Sequence, residues 1–252
     1  MKSIAFAASV VLAATLWTHA IASSAVPPYV AQAVAAKDRG DQAAVDMRRH
    51  PAEILALSGV KPGQSVAELI PGGGYFTRLL SRIVGPAGRI YAIWPEEYDK
   101  VSHPDSDKLR ALAKTSPYDN ITVLVQPAAA FSTPTTVDLV FTAQNYHDYP
   151  DKFMGGVDPM VLNKAVFRNL KRGGLYMVID HVAASGSGMR DTDTLHRIDI
   201  ATVKSQVMSA GFEYYGSTAI LRNESDDHTK AVFDPSVRGH TDQFVLVFRK
   251  PA

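Results

Sequence analysis

Residues 66–77, VAELIPGGGYFT, decide the fold of this chain. The apolar run at 65–70 has the length of a buried strand, and three glycines follow it directly. A pattern with helical spacing then runs over 75–84 and stops at Gly85-Pro86. Three glycines are more than a tight turn requires, although a turn without a ligand stays open as an alternative. Since glycine lets backbone N–H groups approach a ligand closely, we expect a binding loop between a strand and a helix.

Strands and helices alternate after this unit. Further strands are predicted at 88–94, 121–125, 137–142, 174–181, 212–221 and 242–248. Helices are predicted over 106–115, from an Asp158 cap to Gly173, and from an Asp199 cap to Gly211. No helical pattern separates the last two strands, so they should pair antiparallel. The prediction is an α/β fold with a doubly wound, mostly parallel seven-stranded sheet whose last strand is antiparallel, a Rossmann-like architecture.

The first 22 residues have the pattern of a secretory signal peptide, with a retained anchor as the alternative. A basic Met1-Lys2 start precedes an apolar run at 4–17 that is short for a membrane span, and small residues follow at 20–22. We therefore predict a periplasmic or secreted protein without stable membrane insertion after cleavage. Residues 23–60 are predicted to form a helical lead-in, and residues 61–252 to form the α/β domain.

The composition excludes several classes of function. The chain has no cysteine, which rules out disulfides, cysteine nucleophiles and thiolate metal sites. Its 26 Lys and Arg balance 25 Asp and Glu, so nothing predicts a nucleic-acid partner. No G-x-S-x-G stretch marks a serine nucleophile elbow.

Several motifs resemble those of one known family. The stretch VAELIPGGGYFTRLL at 66–80 resembles motif I of the class I S-adenosylmethionine-dependent methyltransferases. LKRGG at 170–174 and FVLVFRKP at 244–251 are similar to that family's late turn and final hairpin. The resemblance covers about residues 51–250. It implies that the cofactor is S-adenosylmethionine and that the substrate is a small molecule. The GGGY loop, YHDYP, TLHRID and RGHTDQF further resemble an exported bacterial branch of that family.

The resemblance also implies a set of cofactor residues. Glu68 matches the acidic residue that helps to hold the methionine end of the cofactor. The other implied contacts are Pro71, Gly72, Gly73, Gly74, Trp94, Gln126 and Asn145.

Three positions depart from the family's motifs. Ile70 stands where the family has its first motif-I glycine, and its side chain could crowd the cofactor. Trp94 stands where the family has an acidic residue that binds the ribose hydroxyls. That carboxylate is therefore absent unless Glu96 or Glu97 reaches back to the ribose. Trp94 could stack on the base or pack in the rim. Gln126 stands near the expected adenine edge and could hydrogen-bond there.

Polar residues follow the fourth and fifth predicted strands, where the cleft of an open α/β sheet lies. His147 is the first candidate for a general base, because histidine ordinarily titrates near neutral pH. A loop histidine that caps the backbone is the alternative. Asp148, His181 and His196 are the other candidate catalytic residues. Asp180 and His181 should face opposite sides of a regular strand, so one of them is structural.

Two further features of the sequence bear on the ligand. No histidine pair has compact ligand spacing, so no metal site is predicted. The long connection 223–241 favours a lid that carries His228, Arg238 and His240. Arg222 and Arg238 would suit an anionic substrate, and a solvated loop is the alternative.

Three functions therefore stay open. The first is an exported methyltransferase that uses S-adenosylmethionine. The second is an enzyme that has kept the fold but lost the cofactor, and that uses histidine or metal chemistry. The third is a noncatalytic protein that binds a small ligand.

Overall fold

The computed structural model describes residues 25–252, apart from the side chain of His103. The predicted signal peptide at 1–22 lies outside the described residues. The α-helices are α1 (Pro28–Val34), α2 (Asp46–Arg49), α3 (Pro51–Leu57), α4 (Tyr75–Val84), α5 (Glu96–Leu112), α6 (Pro159–Asn169), α7 (Thr192–Leu195) and α8 (Ile200–Ser209). Short 3-10 helices cover Lys37–Val45, Ala128–Ala130, Tyr146–Asp148 and Lys152–Met154. From residue 25 onward, no helix combines the length and the apolar character needed to cross a membrane.

The strands form one seven-stranded sheet. They are β1 (Ser65–Leu69), β2 (Arg89–Pro95), β3 (Ile121–Gln126), β4 (Val137–Ala143), β5 (Leu170–His181), β6 (Glu213–Thr218) and β7 (Gln243–Arg249). Their order is β3-β2-β1-β4-β5-β7-β6. The first five strands are parallel, and β7 runs antiparallel to both β5 and β6. The predicted fold class is therefore confirmed, and the strand order reverses between β1 and β4.

Apolar side chains cover both faces of the sheet. On one face, α1, α3, α4 and α5 pack over residues such as Ile90, Ala92 and Phe141. On the other face, α6 and α8 pack over Val140 and Val178. Burial of each large side chain contributes roughly 1.5–3 kcal/mol, which makes these two layers the main source of stability.

The predicted starts of α6 and α8 are confirmed, but the predicted end of α6 is wrong. The Asp158 carboxylate accepts the Met160 N–H at 2.8 Å, and the Asp199 carboxylate accepts the Ala201 N–H at 3.1 Å. The helix ends at Asn169 rather than at Gly173, because Leu170 is already extended and pairs with β4. Gly173, with φ of 74°, instead forms a turn within the first part of β5.

Helix α5 is longer than predicted. It was expected over 106–115, but it begins at Glu96 and contains a kink at Ser102, where φ is −132°. Three acidic residues in its first turn stabilise the helix N-terminus. Pro104 lies inside the helix and removes one backbone donor, which accounts for an irregular segment between two helical parts.

The N-terminal helices pack on the domain through both apolar and polar contacts. Val30 and Ile54 are fully buried in the same cluster as α4. Arg39 is buried and donates to Asp46 at 2.7 Å, and the Tyr75 hydroxyl donates to the same carboxylate at 2.6 Å. Because Tyr75 opens α4, this contact holds the N-terminal segment beside the glycine loop.

Candidate functional site

A cavity of about 380 Å³ opens where β1, β4 and β5 end. This is the edge at which open α/β sheets bind ligands. Its wall brings together residues from distant parts of the chain: Arg49, Glu68, Ile70, Pro71, Gly72, Gly73, Tyr75, Phe76, Tyr98, Val101, Ser102, Ala143, Gln144, Asn145, His147, Asp148, Phe153, His181, His196, Val232 and Phe233. Of the predicted site residues, Gly74, Trp94 and Gln126 are not in this wall.

The three glycines of the loop differ in what they face. An added Cβ at Gly72 or Gly73 would meet no atom within 4 Å, because both residues border the cavity. An added Cβ at Gly74 would lie 2.5 Å from Leu109 of α5, and φ there is 79°. Gly74 is therefore required by helix packing and by its backbone conformation, whereas Gly72 and Gly73 keep backbone surface open to a ligand.

Ile70 keeps the backbone conformation of a glycine. Its φ is 49°, which costs a β-branched residue on the order of 1–3 kcal/mol. Its side chain is 2% exposed and belongs to the core cluster on the α6 face. The Asn145 side-chain amide donates to the Ile70 carbonyl at 3.0 Å and so fixes this turn. The cavity therefore remains open although Ile70 replaces a glycine.

Glu68 is the main polar group at the base of the cavity. It is 3% exposed, and among the described residues its Oε2 atom has no hydrogen-bond partner. Burial raises the pKa of the Glu68 carboxyl to about 8. A ligand cation would supply the missing partner and restore the charged form.

Trp94 and Gln126 lie away from the cavity, contrary to prediction. Trp94 is fully buried and shares the face of β2 with Ile90 and Ala92, because alternate strand residues point to the same side. The Gln126 side chain closes its own loop, accepting the Ser132 N–H at 2.7 Å and donating to the Ser132 carbonyl at 3.0 Å.

The side of the cavity beyond β2 carries hydroxyl groups rather than a carboxylate. Tyr98 and Ser102 line the cavity there, whereas Glu96 and Glu97 do not. Glu97 accepts the Ala128 N–H at 3.0 Å and thereby holds the loop after β3. Neither glutamate therefore supplies the carboxylate that binds the ribose in the family's motif.

Three side chains of the cavity wall form a compact cluster. His147 Nε2 lies 3.2 Å from Asp148 Oδ1 and 3.3 Å from His196 Nδ1. The same atoms of His196 and Asp148 are 3.8 Å apart. The other ring nitrogen of His147, Nδ1, lies 2.8 Å from the buried Asp180 carboxylate. His147 and Asp148 belong to the 3-10 helix after β4, whereas His196 ends α7.

His147 is not a neutral base in this structure. Burial lowers the pKa of His147, but the Asp180 and Asp148 carboxylates outweigh burial and raise the pKa to about 10. The imidazole is therefore protonated at neutral pH when it binds no other cation. The ordinary histidine pKa that made His147 the first candidate for a general base therefore does not apply to this ring, because two carboxylates lie beside it.

His181 is the neutral imidazole of the cavity. Burial lowers the pKa of His181 to about 4. Its Nδ1 lies 2.8 Å from the Thr241 hydroxyl, which leaves Nε2 for a ligand. As predicted for neighbours on a strand, His181 lines the cavity and Asp180 does not.

The connection between β6 and β7 contributes apolar rather than charged residues to the cavity. Val232 and Phe233 line the cavity, and the Phe233 ring lies 4.8 Å from that of His196. His228 instead pairs with Asp242 at 3.0 Å. Neither His228 nor His240 is in the cavity wall.

A second cavity of about 230 Å³ shares five residues with the first: Arg49, Gln144, His181, Val232 and Phe233. Its wall includes Arg48, Arg49 and Arg238. The predicted anion-binding residue Arg238 is therefore present, whereas Arg222 pairs with Asp242 at 2.8 Å and lines neither cavity. The sequence analysis did not identify Arg48 and Arg49, which lie outside the motifs from which the site was predicted.

Comparison with known proteins supports the methyltransferase resemblance. The chain is 32% identical over 127 residues to the ubiquinone/menaquinone biosynthesis C-methyltransferase UbiE of Pasteurella multocida. The match covers 50% of this chain and 43% of that protein, so the chain spans less than half of this curated relative. No protein-family model matches the chain.

Solved structures share the fold. An S-adenosylmethionine-dependent methyltransferase from Aquifex aeolicus has 18% identity and a TM-score of 0.55, over 78% of this chain and 87% of that one. The cyclase SpnF has 18% identity and a TM-score of 0.61, over 84% of this chain and 82% of that one. Because SpnF is named for a cyclisation, the shared fold alone does not determine the reaction.

Proposed function

We propose that this chain, whose fold is that of the class I S-adenosylmethionine-dependent methyltransferases, transfers a methyl group from that cofactor to a small anionic acceptor. The observation that carries the proposal is the buried Glu68 carboxyl beside the glycine loop, whose Oε2 atom has no hydrogen-bond partner among the described residues. A carboxylate in this position is costly unless a ligand brings a positive charge. The 32% identity to a C-methyltransferase supports the same reaction class.

The residues present fit the cofactor at its methionine end. Glu68 would hold the ammonium group, and the open backbone at Gly72 and Gly73 would accept close approach of the rest of the molecule. Tyr98 and Ser102 are the polar groups available to the ribose. When bound, S-adenosylmethionine supplies an electrophilic methyl group.

The acceptor side is defined by arginines and by His181. Arg48, Arg49 and Arg238 border the second cavity and favour an acceptor with a carboxylate or another anionic group. His181 stays neutral, so its Nε2 can accept a hydrogen bond from an acceptor hydroxyl and orient that oxygen.

Calorimetric titration with S-adenosylmethionine and with its demethylated product tests the proposal. We expect saturable binding that Glu68→Gln weakens by at least about tenfold, since the lost charge-assisted hydrogen bond contributes about 1.5–3 kcal/mol. The matched control is the exposed Glu224→Gln, which should bind like the parent. Absence of heat and of any thermal shift at millimolar ligand would refute the cofactor assignment.

We also propose that the protein is exported to the periplasm or secreted, on the basis of the basic start, apolar run and small residues of segment 1–22. Cell fractionation with mass measurement of the mature chain tests this. A full-length chain that is recovered with Met1 in the cytoplasmic fraction would contradict export.

A second candidate is an enzyme of this fold that works without the cofactor. Two observations favour it. Neither Glu96 nor Glu97 lines the cavity, and the cluster of His147, Asp148 and His196 offers groups for acid–base or metal-assisted chemistry. Failure of the calorimetric test together with an activity that depends on His147 and His196 would select this candidate.

A further inference from the structure

The strongest unexplained feature is the arrangement of three ligand-type atoms on the cavity wall. His147 Nε2 lies 3.3 Å from His196 Nδ1 and 3.2 Å from Asp148 Oδ1, and the latter two atoms are 3.8 Å apart. A point equidistant from the three lies about 2.0 Å from each of them, which is close to metal–nitrogen and metal–oxygen bond lengths of about 2.0–2.2 Å. The three distances are therefore compatible with one ion that contacts all three atoms.

The orientation of His147 is set by a second carboxylate. Asp180 contacts His147 Nδ1 at 2.8 Å and accepts the His147 backbone N–H at 2.8 Å. Asp180 also accepts the His181 N–H at 2.8 Å, so its own position is fixed. A carboxylate on the far nitrogen of a histidine ligand is the usual support of a metal-bound imidazole, because it fixes the ring and directs the other nitrogen to the ion.

The donor set selects the kind of ion. Two imidazoles and one carboxylate suit divalent transition metals, whereas Mg²⁺ and Ca²⁺ prefer oxygen ligands alone. Three protein ligands leave coordination positions for other molecules, as in catalytic rather than structural sites. All three residues line the cavity, and the His196 side chain is 27% exposed, so an ion and a small ligand have access.

We propose that His147, Asp148 and His196 bind a divalent transition-metal ion, with Fe²⁺ and Zn²⁺ as the ions that fit this donor set. Asp180 is the positioning residue for His147. The open positions of the ion face the cavity and accept an oxygen of the small molecule bound there. The metal site itself is independent of methyl transfer, but the role of the ion in holding a methyl acceptor rests on the proposed function.

Metal content of untagged full-length protein is the first test. Protein stripped with a chelator is reloaded with Zn²⁺, or with Fe²⁺ under anaerobic conditions, and is desalted for elemental analysis. We expect one ion per chain and a rise in the melting temperature that depends on metal concentration. Less than about 0.1 ion per chain with both metals, together with no thermal shift in metal excess, would overturn the proposal and leave an ion-pair cluster.

Substitutions locate the site. His196→Ala, at a partly exposed ligand, should lower metal affinity at least about 100-fold, and Asp180→Asn should lower it about 10–100-fold. The control is the exposed His240→Ala, which should bind metal like the parent. Circular dichroism confirms that each variant is folded. Full metal retention in folded His196→Ala would also overturn the proposal.

Calorimetry on metal-stripped protein separates this proposal from the methyltransferase proposal. S-adenosylmethionine binding that persists without metal, together with stoichiometric metal uptake, supports both. Cofactor binding in a protein that takes up no metal refutes only the metal site, and metal uptake without cofactor binding refutes only the methyl-transfer role.

Discussion

The Glu68 carboxyl is removed from water by folding, and no ion pair to it is present among the described residues. Since burial raises the pKa of this group to about 8 in the folded protein, the folded state holds a proton that the unfolded chain releases near its ordinary pKa of 4.5. The stability contributed by this proton is fully present below about pH 4.5 and is lost as the pH rises through about 8.

Glu68→Gln should therefore remove part of the pH dependence of stability. Between pH 5 and 8 the parent should lose up to about 1.4 kcal/mol of unfolding free energy per pH unit relative to the variant. Denaturant unfolding of ligand-free protein at several pH values measures this difference. Parallel curves for the two proteins would show that Glu68 is already ionised in the folded state.

Neighbouring glycines should respond differently to the same substitution. Gly73→Ala meets no atom within 4 Å, so the unfolding free energy should change by less than about 1 kcal/mol, while S-adenosylmethionine binding weakens. Gly74→Ala should destabilise by more than about 1 kcal/mol, because φ is 79° and Leu109 is in the way. Thermal unfolding and calorimetry separate these effects, and equal stability losses at both positions would contradict the assignment.

At the level of elements, the start of α6 depends on one side chain. The Asp158 carboxylate accepts the Met160 N–H at 2.8 Å, and Pro159 occupies the first helical position. Such a cap satisfies a backbone donor that the helix itself leaves free.

Asp158→Ala should therefore lower the unfolding free energy by about 1 kcal/mol, whereas Asp158→Asn should restore most of this loss, since asparagine is an equally good cap. Urea unfolding measures both variants against the parent. If alanine and asparagine prove equivalent, the capping bond contributes nothing in solution.

The connection between β6 and β7 was expected to bring His228, Arg238 and His240 over the cleft. It brings Val232 and Phe233 to the first cavity and Arg238 to the second. Other charged residues in or beside the connection stabilise the conformation of the connection itself. The Asp226 carboxylate accepts hydrogen bonds from the Arg197 guanidinium and from the Asp242 N–H. The His228 ring lies within hydrogen-bond distance of the Asp242 carboxylate. Of the three polar residues named for this segment, Arg238 lines a cavity, whereas His228 and His240 line neither of the two.

At the scale of the whole molecule, Arg197 joins three distant segments. It is fully buried and donates to Asp226 at 2.8 Å, to the Val182 carbonyl at 3.0 Å and to the Lys230 carbonyl at 2.8 Å. The end of β5, the start of α8 and the β6–β7 connection therefore share one charged side chain.

Arg197→Ala should lower the unfolding free energy by about 3–5 kcal/mol, because it leaves the buried Asp226 without its partner. Arg110→Ala is the matched control, since both members of its ion pair with Asp107 are exposed and the pair should contribute about 0–1 kcal/mol. Chemical denaturation compares the two. Similar small losses at both positions would show that water reaches Asp226.

The alternation of strands and helices, the glycine loop after β1, and the caps at Asp158 and Asp199 could all be predicted from the sequence alone. These features depend on side-chain periodicity and on hydrogen bonds between residues a few positions apart, so local sequence is sufficient. Where prediction failed locally, at Gly173, the pairing of Leu170 with β4 overrode the helix signal. The alternation of β2 also predicts the buried face of Trp94, because Trp94 shares that face with Ile90 and Ala92.

Only the tertiary structure decided the chemistry of the site. It brought His196 within 3.3 Å of His147, 49 positions earlier in the chain, and it placed Asp180 on the far side of the same ring. The charge states of Glu68, His147 and His181 followed from burial and from these neighbours. Desolvation and Coulomb interactions depend on distance in space rather than on distance along the chain, so no reading of local sequence could supply them.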